Sequence, residues 1–382
     1  MKKLLSGIAR ALCVMAVCVL AGCSYAGSNG GSGTTPPATE FNWYETPVQL
    51  PAGTPGTYGT DGTYVYFGVW PQDVVPAADV AGLALDENAT TTIERGYLKF
   101  VKGSDGNYYV KCAEYANGND YKYKKDQTAV GQNGTSNRWF KVMPIKWRVV
   151  DTAYDVDGSN GSETAKLLVA ENILTANVPY FESSSNRTIS GSTVYPNNYM
   201  HSQIRAYLNG ISYNAAVSTN NNKWYDSVNS KGKGFLQTAF GDTAITLIIN
   251  TVVDNSEDST TNYDTANGSL EKATTYACNP TTDKIFLLSE YEVTKYSKST
   301  EKYKDNSRGN SRRHVTTDFS KANNAWNLEN SGYGGLWLLR SPSSAGIGYS
   351  LYVSSSGAAG DSNDNIVDDK SGGVVPALCI SF

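Results

Sequence analysis

Trp139-Phe140-Lys141-Val142, Ile145-Lys146-Trp147-Arg148-Val149-Val150, the turn Asp155-Val156-Asp157-Gly158-Ser159-Asn160-Gly161, and Lys166-Leu167-Leu168-Val169-Ala170 follow one another within 32 residues. This stretch decides the fold class. Aromatic and β-branched runs lie on either side of an Asp/Asn/Gly cluster, which is the pattern of a β-hairpin. The same grammar recurs upstream. Residues 97–101 and 108–112 flank Gly103-Ser104-Asp105-Gly106-Asn107, a second hairpin, and residues 64–69 (YVYFGV) read as a strand. Downstream, residues 284–289 (KIFLLS), 336–339 (LWLL) and 349–353 (YSLYV) read as short strands, and VVPALCISF closes the chain. Helical signals are few. Ser202 can cap a helix carrying Ile204, Tyr207 and Leu208 on one face, with Asn209-Gly210 at its end. Residues 234–240 suggest another helical turn, and 244–253 (AITLIINTVV) fit a buried strand or a helix equally. The expectation is an α+β protein of many short antiparallel strands and a few short helices.

Composition narrows the function. The 382 residues carry 32 Lys+Arg against 36 Asp+Glu, a net charge of −4, so a nucleic-acid partner is not expected. Only 18% of residues are charged, which argues against a disordered polyelectrolyte. There are 26 Tyr, 7 Trp and 36 Gly, but only 2 His. Tyr and Trp place flat apolar area at a wet surface with a polar handle.

The first 22 residues read as an export signal. Lys2, Lys3 and Arg10 precede a short apolar run at 11–20, too short to span a bilayer. Leu20-Ala21-Gly22-Cys23 has the form of a bacterial lipobox, with the Cys23 thiol as the lipid acceptor. Residues 23–40 are rich in Gly, Ser, Thr and Pro and read as the lipidated cysteine and a flexible tether. The expected location is the bacterial cell envelope, lipid-anchored at the outer membrane or cell surface. Beyond the tether, 41–130 reads as a β-rich portion and 131–382 as the main domain, or 60–382 as one continuous domain. Cys13 and Cys18 leave with the signal, so the folded part keeps Cys112, Cys278 and Cys379. No C-x-x-C is present, which speaks against a zinc ribbon or a thioredoxin-type site.

Signals for catalysis are sparse. There is no G-x-S-x-G, and only His201 and His314 can act as an imidazole base. His201 precedes the predicted helix and reads as structural or exposed. His314, beside Arg312 and Arg313, is expected in an exposed loop. Asp155, Asp157 and Asn160 are hard oxygen donors, but an EF-hand register puts Ala153 and Thr164 where acids are needed, so a plain turn fits better. No catalytic residue, metal or cofactor is assigned. Residues 295–314 hold seven Lys or Arg against Glu301 and Asp305, which reads as a solvated loop.

Seven blocks, in order, carry a resemblance. They are Phe67-Gly68-Val69-Trp70-Pro71-Gln72, Ile145-Lys146-Trp147-Arg148-Val149, the run from Tyr199 to Asn209, Phe235-Leu236-Gln237-Thr238-Ala239-Phe240, Asp283-Lys284-Ile285-Phe286-Leu287-Leu288-Ser289, Trp337-Leu338-Leu339-Arg340-Ser341-Pro342 and Gly373-Val374-Val375-Pro376-Ala377-Leu378. Over residues 60–382 the chain resembles spirochaetal, especially treponemal, lipoproteins with an uncharacterised domain. That family resembles the C-type lectin fold of the formylglycine-generating-enzyme type. It includes a variable lipoprotein whose C-terminal segment is rewritten by a diversity-generating retroelement. The family's Arg in GVRPAL is Val375 here, so a change of local packing is expected there. The enzyme branch of the fold uses a close thiol pair, whereas Cys278 and Cys379 sit far apart in sequence and outside that motif, so the chain is expected not to be an enzyme.

The resemblance implies a binding surface in residues 343–370. The residues it assigns to ligand contact are Ser344, Ala345, Ile347, Tyr349, Ser355, Asp361, Asn363 and Asn365. Such Tyr, Ser, Asn and Gly content is that of antibody paratopes. The implied function is noncovalent recognition of a host or environmental protein or glycan by a monomer held on the membrane through Cys23. The competing expectations are an envelope enzyme on the same fold and a structural envelope lipoprotein without a dedicated ligand.

Overall fold

The computed structural model describes residues 40–57, 62–114, 121–122, 129–130, 137–159, 161–212, 231–257, 278–299, 312–329, 332–343, 346–359 and 364–381. The signal segment, Cys23 and the tether up to residue 39 lie outside the described residues. Strands run at Tyr64–Val74 (β1), Leu98–Lys102 (β2), Tyr108–Ala113 (β3), Asn137–Asp155 (β4), Thr164–Ala170 (β5), Ile285–Phe286 (β6), Trp337–Pro342 (β7), Tyr349–Val353 (β8), Asp364–Ile366 (β9) and Ala377–Ile380 (β10). Helices span Gln203–Asn209 (α1), Phe235–Ala239 (α2), Asp242–Leu247 (α3), Glu290–Ser299 (α4) and Asp318–Ala322 (α5). The chain is α+β, with short helices and mostly antiparallel strands.

The quoted stretch is the organiser of the main sheet. β4 is 19 residues long and changes partner along its length. It pairs with β3 from Asn137 to Lys141, with β1 from Phe140 to Arg148, and with β5 from Trp147 to Asp155. β10 pairs with the far side of β5, and β6 with the far side of β10. The N-terminal β-rich portion and the C-terminal end of the chain therefore share one sheet. β1 carries register shifts at Tyr66/Val69 and Pro71/Asp73, which bend it around the core. Gly68 sits in the first shift at φ +68°, where an added Cβ would lie 2.9 Å from the Ala239 carbonyl oxygen. Only glycine fits that backbone at that approach.

The core is rich in buried aromatic residues. Trp70 and Trp147 are fully buried, and each indole finds a carbonyl: Nε1 of Trp70 donates to Leu174 O at 2.9 Å and Nε1 of Trp147 to Phe67 O at 2.7 Å. Burial of a tryptophan requires such a partner for its N–H. Helix α1 follows its sequence signals: Ser202 Oγ accepts from Arg205 N at 3.2 Å, and Gly210 closes it at φ 60°. The ambiguous stretch 244–253 divides into the end of α3 and a short strand at Thr251–Val253. The strand expected at 284–289 is limited to Ile285 and Phe286; Leu287, Leu288 and Ser289 stay buried but lead into α4.

Buried ion pairs cross the interior. Arg148 grips Glu171 side-on, Nε to Oε2 at 2.9 Å and Nη2 to Oε1 at 2.8 Å, with 4% and 1% of the side chains exposed. Arg205 holds Asp283 in the same manner at 2.8–3.0 Å. Arg340 pairs with Glu292 and also donates to Leu287 O at 2.9 Å. Burial opposes ionisation of Glu171 and Glu292, but the facing guanidinium outweighs it and holds each carboxyl below the usual range. Trp337 and Arg340 are each 1% exposed.

His314 does not sit in the exposed loop that its two arginine neighbours imply: it is 1% exposed. Its ring lies edge-on to Trp337 at 4.9 Å, and Nδ1 is 3.1 Å from Glu171 O. A carbonyl only accepts, so Nδ1 carries the proton of a neutral ring. Burial lowers its pKa to about 4. The arginines beside it turn inward to carbonyls: Arg312 Nε donates to Gly357 O at 2.6 Å and Arg313 Nε to Ser356 O at 3.2 Å. Spent on the chain's own backbone, they leave His314 free to be core.

Candidate functional site

The C-terminal segment forms a small sheet in the order β7–β8–β9. Its foundation is β7, buried along its whole length. Trp337 Nε1 donates to Arg312 O at 3.1 Å, and Arg340 anchors the strand to Glu292 beneath it. Glu292 also accepts from Tyr154 Oη at 2.7 Å and from Ser289 N at 2.8 Å, so the carboxylate under the sheet is fully satisfied.

The turn between β7 and β8 is fixed from below by a residue 150 positions away in sequence. Asn197 is wholly buried, and its Nδ2 donates to Gly346 O at 3.2 Å and to Tyr349 O at 3.1 Å. Tyr180 Oη reaches Arg340 O at 2.9 Å and Asn197 O at 3.2 Å, tying the clamp to β7. No local motif marks Asn197 or Tyr180 as functional. Both lie in an irregular segment, and their partners are backbone atoms that the sequence does not reveal.

On the outer side the chemistry changes. Tyr349 is 39% and Ile366 49% exposed, and they face each other across β8 and β9. The backbone of Tyr349 points toward β7: its N–H donates to Gly346 O and its carbonyl accepts from Ser343 N. Val367 N donates to Gly348 O at 3.0 Å, one rung along. Tyr349 and Ile366 are thus a non-hydrogen-bonded pair, the closer kind for side chains. Ile347 is half-buried beside them. Among the described residues, five large hydrophobics are exposed, and four of them (Leu328, Tyr333, Tyr349, Ile366) fall between positions 328 and 366.

The predicted contact residues divide. Ile347 and Tyr349 reach the surface, and Asn365 lies in β9 opposite Ser350. Ser355 is only 6% exposed, in the turn after β8, where its carbonyl accepts from Gly334 N at 2.8 Å. Ser344, Ala345, Asp361 and Asn363 lie outside the described residues. Ile366, exposed opposite Tyr349, is not among the residues the resemblance assigns to ligand contact, and no local motif marks it.

Among the described residues no group of three or more His, Cys, Asp or Glu is placed to hold a metal ion. Cys112, Cys278 and Cys379 are free thiols. Burial raises the pKa of all three, that of Cys112 and Cys379 to about 12, so none is a ready thiolate. In the 155–162 turn, Asp157 accepts from Ser159 N, Ser159 Oγ and Ser162 Oγ, which uses the oxygens a cation would need. Val375 is fully buried. Among the described residues no helix is long and apolar enough to cross a membrane.

The class these features define is an α+β domain with an exposed apolar rim on a buried polar scaffold. Residues 163–382 match the family model described as Domain of unknown function (DUF6273), more than half of the chain, and the chain belongs to that family. The matched region contains β7, β8 and β9. No curated protein and no solved structure matches the chain.

Proposed function

We propose that the chain is a lipid-anchored protein of the bacterial envelope whose C-terminal sheet presents a ligand-binding face. The observation that carries this reading is that, among the described residues, four of the five exposed large hydrophobics fall at 328–366, two of them facing each other across β8 and β9. Contiguous exposed apolar surface marks interaction sites. The lipobox at Cys23 and the tether after it support a position on the membrane surface. The resemblance to treponemal lipoproteins supports a C-type-lectin-like scaffold of the formylglycine-generating type, with residues 343–370 as its display segment. The ligand is a protein or glycan of the surroundings, bound without turnover.

Replacing both Tyr349 and Ile366 by Ser is expected to abolish binding to cells or arrayed ligands while the melting temperature stays within about 2 °C of the parent. Unchanged binding would sink the site assignment. Cys23→Ser is expected to stop incorporation of labelled palmitate and release the protein from the membrane fraction.

A further inference from the structure

Residues 312–317 lie between the segment that leaves β5 and the start of the small sheet. On one side, Val315 and Thr316 run parallel to Asn172 and Ile173, a ladder only two residues long, and Thr317 N donates to Ile173 O at 3.1 Å. On the other, Gly335 N donates to His314 O at 2.9 Å and Trp337 Nε1 to Arg312 O at 3.1 Å. Parallel pairing is the weaker kind. Two buried atoms of this segment, His314 Nε2 and Thr316 Oγ1, have no hydrogen-bond partner among the described residues. Burying them unpaired costs free energy that an opened seam recovers by hydration. The segment also holds the turn after β8, through Arg312 on Gly357 O and Arg313 on Ser356 O.

We propose that residues 312–317 are an acid-opened latch: protonation of His314 drives the segment out from between β5 and β7 and frees the turn at 354–358. The ring spends its Nδ1 proton on Glu171 O, so an added proton goes to Nε2, which has no partner to receive it. The charged groups facing the ring are Glu171, just after β5, and Arg148 of β4, and these are paired with each other. On the other side β7 brings the uncharged Trp337. Along the segment itself, Arg312 and Arg313 turn to carbonyls, and Glu329, on Thr316 N, is paired with Lys321. Burial, the largest influence, opposes the proton, as does Arg148; Glu171 and the carbonyls of Ala170 and Glu171 favour it, and burial prevails. The latch stands apart from the reading of the rim as a binding face, and its test reads amide exchange, not binding.

The test is native-state hydrogen exchange of the full-length protein at pH 7 and pH 5, expressed as protection factors so that the intrinsic pH dependence of exchange cancels. With a pKa of about 4 in the closed seam and about 6.5 in the open one, opening is about thirtyfold more frequent at pH 5 than at pH 7. Protection of the Gly335 and Thr317 amides should fall by that factor. Global unfolding exposes His314 too, so the latch must also show as a separate opening. The Gly335 and Thr317 amides should be at least about tenfold less protected than amides of β4, with exchange nearly independent of low urea. His314→Phe should remove the fall, whereas His201→Gln, at the half-buried second histidine, should keep it. If His314→Phe does not fold, the ring of His314 followed by NMR in the His201→Gln protein decides, and a midpoint near 6.5 in the closed protein overturns the latch. So does protection equal to that of β4, no fall between pH 7 and pH 5, or a fall that survives His314→Phe.

Discussion

The region around Arg148, Glu171, His314 and Trp337 and the rim formed by Tyr349 and Ile366 belong to one folded unit but obey opposite rules. In the first, every charge is paired in the interior and each large ring is covered. In the second, an aromatic and a β-branched residue face each other in the open, across the middle and outer strands of a three-stranded sheet. The scaffold invests in specified long-range pairs; the rim is held by the clamp of Asn197 under Tyr349 and by Phe181 N, which donates to Val367 O at 2.8 Å beside Ile366. Substitutions in the scaffold should therefore cost stability, and those at the rim should cost only recognition.

The largest effect is expected from breaking a buried pair. Arg340→Ala strands the Glu292 carboxylate in the interior and should destabilise by about 3–5 kcal/mol, read from urea unfolding. A loss below about 1 kcal/mol would mean the sheet is not anchored through this pair. Next is acid sensitivity. His314 has a pKa of about 4 when folded against about 6.5 in an unfolded chain, so the unfolded state takes the proton first as pH falls. Its contribution is fully present above about pH 6.5 and is lost down to about pH 4, a change bounded near 3 kcal/mol. His314→Phe keeps a ring against Trp337 and should flatten that limb of the stability curve. Glu171 and Glu292, held low by their arginines, lose their support only at still lower pH, below their unfolded values near 4.3.

Asn197→Ala sits between the two regions. Losing the donor to Gly346 O and Tyr349 O should cost about 1–2 kcal/mol. It should also raise amide exchange at 346–350 more than in β5, and uniform exchange would show that the clamp is not local. The smallest stability effect belongs to the rim. Tyr349→Ser or Ile366→Ser alone should change unfolding by no more than about 0.5 kcal/mol.

Much of the scaffold was legible in sequence, because its signals are local. The hairpin grammar of 97–112 and 139–170 reappears as β2–β3 and β4–β5, and Ser202 and Gly210 bound α1 as their chemistry requires. What stayed hidden depends on distant partners. Arg148 and Glu171 are 23 residues apart and Glu292 and Arg340 48 apart, with no motif joining them. His314 was misplaced because its basic neighbours imply solvent, whereas their side chains are spent on carbonyls at 356 and 357. At the rim, Tyr349 is among the residues the resemblance assigns to ligand contact. Ile366 is not, since nothing in DNIVDD separates an edge residue from a core residue until register is known.

The central claim is that recognition resides in the exposed rim and not in the scaffold. The direct measurement is binding of the full-length protein to intact cells and to arrays of glycans and extracellular proteins. The parent is compared with the Tyr349→Ser, Ile366→Ser double variant and with Val48→Ser, which alters an exposed hydrophobic (42% exposed) elsewhere on the molecule. The account predicts that the double variant loses the parent's signals with unfolding unchanged, while Val48→Ser retains them. Full binding by the double variant, or no binding by the parent to any surface offered, would contradict it.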